Sequence, residues 1–409
     1  MVLTLFNTLA SSFIWGINTL FLLDAGLSST AAFAANAFFS VGQVLFEVPT
    51  GVVADTWGRR ASYLLGTLTL VGSTALYWLA WQVQAPFWAW AASSMLLGLG
   101  FTFFSGATEA WLVDALRYTG FKGELEAVFS KAQVVAGVAT LSGSVAGGII
   151  AQWTNLGVPY LLRSVALVIS LVVAFVYMKD WGFTPQVSGR PVDEMRQVLR
   201  SALRHGLGRP PVRWMMLSGF FTGGVGFFVF YAMQPYLLRL YGDEQAYGIA
   251  GLAAATVAGA QIAGGIVGPL IRRLFHKRTS ALLAGVLASG ALVALLGVTT
   301  SFPVAIALLI LWALVSAATT PIRQAYMNGL IPSEQRATVL SFDNLLGSAG
   351  GVVIQPALGK VADAWSYPSS YLVGAAVQLL ATPFVVLAQM QEPEGDSTPV
   401  DAPAAPSRI

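Results

Sequence analysis

Apolar stretches of about twenty residues recur along the whole of this chain, and that repetition limits its fold more than any other feature. A bilayer core of roughly 30 Å needs about 20 apolar residues per helix. Twelve such spans can be read: Leu3 to Leu23, Ala31 to Val53, Ala61 to Trp81, Phe87 to Val113, Val128 to Ala151, Val158 to Met178, Trp214 to Leu238, Gly248 to Ile271, Ser280 to Val298, Val304 to Met327, Phe342 to Val361 and Tyr367 to Gln389. Charged residues are only 10% of the 409, too few to wet a soluble surface of this size. The fold class expected is therefore an all-α membrane protein with twelve transmembrane helices in two pseudo-symmetric six-helix bundles.

The positions of lysine and arginine set an orientation. With the N-terminus inside, the inner loops hold Arg59, Arg60, Arg117, Lys122, a cluster from Lys179 to Arg213, Arg272, Arg273, Lys277, Arg278 and Arg336, whereas the outer side has little beyond Arg239 and Lys360. The positive-inside bias then predicts both termini on the cytoplasmic side of the membrane. The first span lacks a basic leader and a small-residue cleavage site, and reads as a retained helix. The net charge of +3 is explained by topology, so nucleic acid is not expected as a partner. Without cysteine, and with only His205 and His276, no metal-ligand set or thiol chemistry can be assembled. No cofactor is expected. No nucleophile, base and orienting group can be grouped, which argues against an enzyme.

The expected organisation is an N-terminal bundle over 1–178, a linker over 179–213, a C-terminal bundle over 214–390 and a disordered cytoplasmic tail over 391–409. In the linker, Met195, Val198, Leu199, Ala202 and Leu203 share one helical face and Arg196, Arg200 and Arg204 another, the pattern of a basic amphipathic helix lying on the inner leaflet. Internal repetition supports the division into halves. The loop after Gly51 has a degenerate echo at Gly268 to Arg278, and Glu126 to Ser130 is echoed by Ala337 to Ser341.

Between the second and third spans lies Gly51-Val-Val-Ala-Asp55-Thr-Trp-Gly58-Arg59-Arg60. This Gly-x-x-x-Asp-x-x-Gly-Arg-Arg pattern resembles the loop signature of the major facilitator superfamily. So does Asn328-Gly-Leu-Ile-Pro332-Ser-Glu-Gln-Arg336, in the position of the family's loop between helices 10 and 11. The resemblance implies alternating access, with two bundles rocking about a central site. It also implies a gating role for the signature: Gly51 for close helix approach, Asp55 at the N-terminus of helix 11 near Ser341, and Arg59 and Arg60 paired with Asp114. These contacts would close the cytoplasmic side. A topogenic basic turn is the plainer alternative. Ala139-x-x-x-Gly143-Ser144-Val-Ala-Gly147-Gly148 partly resembles the glycine-rich signature of drug-efflux antiporters, without its proline, and the arginine usual in helix 4 of many proton-coupled members falls near Ser94.

Ionisable residues inside apolar spans are costly and mark candidate functional positions. Glu47 lies two helical turns before Asp55 and is a candidate proton carrier. Glu109 is placed to pair with Arg323 across the two halves, and Lys131 with Asp343. Asp24 and Arg163 read as outer-side residues that help closure. The cavity expected from helices 1, 4, 7 and 10 is lined by Trp15, Asn18, Phe103, Phe104, Phe227, Phe228, Phe230, Tyr231 and Gln234, aromatic with a few amides. Such a lining suits an amphipathic or aromatic molecule better than a sugar or phosphate. The expected function is proton-coupled efflux of small amphipathic compounds, resembling bacterial multidrug members of the superfamily. Its partners would be a small-molecule substrate, protons and lipid, the protein acting as a monomer. Transport of a specific metabolite, or a non-transporting receptor on the same fold, are the alternatives.

Overall fold

The computed structural model describes residues 1–183, 207–331, 336–391 and 396. The amphipathic linker helix and the Pro332 to Gln335 part of the second loop lie outside the described residues. Among the described residues, eleven helices are long and apolar enough to cross a membrane, and a bent pair at the N-terminus makes a twelfth span. Span 1 is Val2–Trp15 plus Asn18–Asp24, bent by 49°. Span 2 is Ser29–Thr56, span 3 Arg59–Gln82, span 4 Phe87–Thr102 plus Ala107–Tyr118, span 5 Leu125–Trp153 and span 6 Val158–Tyr177. In the second half, span 7 is Pro210–Tyr241, span 8 Tyr247–Arg272, span 9 Arg278–Val298 and span 10 Phe302–Leu330. Span 11 is Arg336–Ala364, and span 12 is Tyr367–Leu379 plus Ala381–Met390.

The breaks follow from local chemistry. Span 4 is interrupted at Gly106, whose φ of +66° is left-handed and costs glycine little. Gly58 starts span 3 with φ +103°, and a Cβ there would collide with the Asp180 carboxylate. That carboxylate, just beyond span 6, accepts from the Arg60 backbone N–H at 2.8 Å and so satisfies one of the free donors at the start of span 3.

The second half repeats this device with a residue from an unexpected place. Asp396 lies in the segment expected to be a disordered tail, yet it is 2% exposed. It accepts from the Thr279 backbone N–H at 2.9 Å and from the Thr279 hydroxyl at 2.6 Å, capping span 9. The free N–H groups of a helix start require an acceptor, and span 9 supplies none locally.

Spans 1 to 6 pack chiefly on one another, as do spans 7 to 12, and the halves meet where span 2 crosses span 11 and span 5 crosses span 8. Small residues make the crossings possible. A Cβ at Gly148 of span 5 would lie 2.6 Å from the Tyr247 carbonyl oxygen, and one at Gly251 of span 8 would lie 2.5 Å from the Ser144 carbonyl oxygen. The glycines of the partial antiporter signature are thereby accounted for by packing: Gly143 and Gly147 admit span 1, and Gly148 admits span 8.

Candidate functional site

A cavity of about 810 Å³ lies between the halves, within the size range of small-molecule sites. Its aromatic wall includes Trp15, Phe39, Phe101, Phe227, Phe230, Tyr231 and Trp312. Trp15 and Phe230, from opposite halves, approach to 4.9 Å between ring centroids. Of the expected lining, Trp15, Asn18, Phe227, Phe230 and Tyr231 reach the cavity. Phe103, Phe104, Phe228 and Gln234 do not. Phe104 packs edge-on against Tyr63, the Phe103 backbone carbonyl accepts from Ser62 at the break in span 4, and Phe228 is fully buried against Phe33 and Tyr371.

Gln234 has a different task. Fully buried in span 7, it accepts from the Thr19 backbone N–H at 2.8 Å and donates to the Trp15 carbonyl at 3.0 Å. The break in span 1 exposes these two backbone groups, and an amide is the side chain that can satisfy a donor and an acceptor together. This ties the halves at the end of the molecule remote from the basic loops.

The same end carries a second tie. Asp363, near the end of span 11, accepts from the Ser29 N–H at 2.9 Å, the Thr30 N–H at 2.8 Å and the Thr30 hydroxyl at 2.6 Å. These groups open span 2, where the helix dipole favours an anion. Ser29 also bonds the Tyr367 hydroxyl at 3.0 Å, and the Gln152 amide oxygen accepts from the Gly248 N–H at 2.9 Å.

At the basic end the expected gating contacts are not made. Asp55 pairs with Arg59 at 2.6 Å, one turn along its own loop, instead of meeting span 11. Ser341 is exposed, and a Cβ at Gly51 would meet nothing within 4 Å. Arg60 donates to the Phe175 carbonyl at 2.7 Å and lies over the Phe175 ring, so neither arginine pairs with Asp114. None of the hydrogen bonds between described residues joins the halves here. Local partners within the first half take these side chains instead.

The charged candidates are also rearranged. Arg323 pairs with Asp343 in a two-point contact, one arm at 2.6 Å, and its Nη2 also donates to the Met215 carbonyl at 3.1 Å. Glu109 and Lys131 are exposed, so neither expected inter-half pair forms. Instead one arginine from span 10 and one aspartate from span 11 satisfy each other within the second half. Arg323 reaches the cavity wall, while Asp343 is 5% exposed behind it. Glu47 accepts from the Ser105 hydroxyl at 2.5 Å, at the break in span 4, and lies off the cavity wall. Ser94 faces Tyr77 and bonds its hydroxyl. Asp24 accepts from the Trp81 indole at 2.7 Å, within the first half.

Arg163, expected at the outer closure, is instead a cavity residue, 2% exposed. Its Nε donates to Thr74 at 3.0 Å and its Nη1 to the Ala10 carbonyl at 3.2 Å. The signal was visible as an arginine inside the sixth span, and its bonds to Thr74 of span 3 and Ala10 of span 1 place it inside the first half.

The model of the Major Facilitator Superfamily matches residues 1–353 and, in an overlapping match, 249–409. The MFS-type transporter YxaM of Bacillus subtilis (strain 168) is 22% identical over 362 residues, covering 84% of each chain. The nucleoside transporter NupG superposes with a TM-score of 0.74 at 11% identity, covering 94% of this chain and 97% of that one. A bacterial homologue of the lysosomal transporter Spinster, in an inward-facing and unoccupied conformation, gives 0.72 at 14% identity over 97% of both chains. The two halves, the signature loop and the central cavity thus have one common origin: the chain belongs to the Major Facilitator Superfamily, as a multi-pass membrane transporter and not an enzyme.

Proposed function

We propose that this transporter exports small amphipathic, aromatic-bearing compounds from a bacterial cell in exchange for protons. The moving bodies are 1–178 and 214–390, acting as a monomer, with the basic end in the cytoplasm. The observation that carries the reading is the cavity: about 810 Å³, walled by aromatic rings from both halves, with amides, hydroxyls and two arginines set among them. Such a wall binds flat apolar surface without demanding one pattern of hydrogen bonds.

The locked far end and separated basic ends correspond to the state that loads substrate from the cytoplasm. Proton exchange is assigned to the Arg323–Asp343 pair, because it is the ion pair of the described residues that borders the cavity. A proton on Asp343 would release Arg323 toward the cavity, and its loss would draw the guanidinium back. The test is movement of fluorescent aromatic solutes into inside-out-oriented proteoliposomes under an imposed pH gradient. Wild type should accumulate solute only with the gradient, Asp343→Asn should abolish gradient drive, and Glu47→Gln and Glu109→Gln should retain it. Movement of no aromatic solute by folded protein would defeat the proposal.

A further inference from the structure

The cavity carries one buried charge that no neighbour neutralises. Arg163 Nη2 is buried and has no hydrogen-bond partner, and no carboxylate pairs with this guanidinium among the described residues. Neither of its two bonds, to a hydroxyl and to a backbone carbonyl, offsets a full charge. A cation withdrawn from water without a counter-charge is expensive, and in a membrane-spanning helix more so.

A second donor without an acceptor lines the same cavity. Tyr160 donates to Asn18 Oδ1 at 2.9 Å, and Asn18 Nδ2 donates to Asn36 Oδ1 at 2.7 Å. The relay ends on Asn36 Nδ2, which is buried and unpartnered. Arg163, Asn18 and Asn36 all border the cavity. The buried polar atoms of the lining left without a partner are therefore donors, and among the described residues the lining holds no carboxylate.

We infer that the transported compound carries an anionic group, a carboxylate on an aromatic or amphipathic body, bound by Arg163 Nη2 with Asn36 Nδ2 as accessory donor. The inference rests on the proposed export of aromatic compounds and names their charge. A planar guanidinium matches a carboxylate in shape as well as charge, while the rings of Trp15 and Phe230 take the apolar body. The direction is consistent too, since an interior-negative membrane potential drives an anion outward.

The test is isothermal titration of the full chain in detergent with three isosteric probes, 2-naphthoate, 2-naphthamide and 2-naphthylmethylammonium. Wild type should bind the anion at least about tenfold more tightly than the amide, the scale of one charge-assisted hydrogen bond. Arg163→Gln should erase that preference, and Arg163→Lys should restore part of it. Should Arg163→Gln fail to fold, Asn36→Asp, which places a like charge beside the site, should reverse the preference. Equal binding of anion and amide by wild type, or a preference that survives Arg163→Gln, overturns the assignment. Binding and transport of the amide or the ammonium alone would remove the anion and leave the export proposal standing. If no probe of any charge binds folded protein, both fall. A short-chain phosphatidylglycerol displacing 2-naphthoate at lower concentration than unlabelled 2-naphthoate would assign the site to lipid phosphate instead.

Discussion

Replacing Asp363 by alanine should unlock the outer side of the transporter. The carboxylate accepts three hydrogen bonds at the first turn of span 2, two from backbone N–H groups and one from the Thr30 hydroxyl. Loss of a helix cap costs about 0.5–2 kcal/mol, and removal of an anion from a helix N-terminus a further ~0.3–1 kcal/mol at an exposed position. Because the two partners sit on opposite halves, the whole of this, about 2 kcal/mol, is lost from the state closed on the outside and not from the one open there. At 1.4 kcal/mol per decade the outward-open population should rise by roughly 30-fold. Asp363→Asn, which keeps one acceptor oxygen but not the charge, should give about fivefold.

The chain has no cysteine, so a single introduced thiol reports without background. Ala250 is 1% exposed in span 8, packed with residues of the first half, and Ala250→Cys adds little bulk. An impermeant maleimide applied from outside should label it about 30-fold faster in the Asp363→Ala protein, while the exposed Thr300→Cys should label at the same rate in both. An unchanged rate at Ala250→Cys in folded protein would refute the lock, and would leave the hydrogen bonds at Asp363 as surface decoration.

Two further outcomes are expected. Asp343→Asn should lower thermal stability in detergent by about 2–3 kcal/mol, less than the ~3–5 kcal/mol of a fully buried pair because Arg323 is 27% exposed, and adding Arg323→Gln should recover most of it; equal stability of the single and double variants would count against the pair. Gly251→Val would press a side chain against the backbone of Ser144 and Gly148, so spans 5 and 8 must part at the outer end; spin labels at Thr154 and Glu244 should then report a longer distance than in wild type, and an unaltered distance would sink the packing argument.

The spans were legible because length and apolarity alone specify a membrane helix, and the cavity aromatics Trp15, Phe227 and Tyr231 followed from their place in spans 1 and 7. What remained hidden depends on contacts distant in sequence. Asp363 meets Thr30 across 333 residues, and no periodicity announces that an acidic residue at one helix end caps another so far away. Gln234 read as a cavity amide because its position is right, yet the break in span 1 presents backbone groups that claim it first. Arg323 was assigned to Glu109 by aligning the halves, but Asp343, one span further on in its own half, is within reach and takes it. The signature residues Gly51, Asp55, Arg59 and Arg60 were recognisable, but the pattern does not name their partners: Asp55 pairs with Arg59 itself and Arg60 with the Phe175 carbonyl.

The cap on span 9 has a consequence for how the protein is made. Asp396 lies 117 residues after Thr279, beyond the last span. At about 5–20 residues per second of synthesis, span 9 waits some ~6–23 s in the membrane before its acceptor has even been assembled. Span 3 waits for Asp180 in the same way across 120 residues. Each half of the molecule is thus fastened by a residue that follows its sixth span, so the N-terminal bundle can finish as a unit while its twin is still being translated. The second bundle has no such lead: its fastening follows span 12, so a truncation or fusion made just after Met390 would disturb it first.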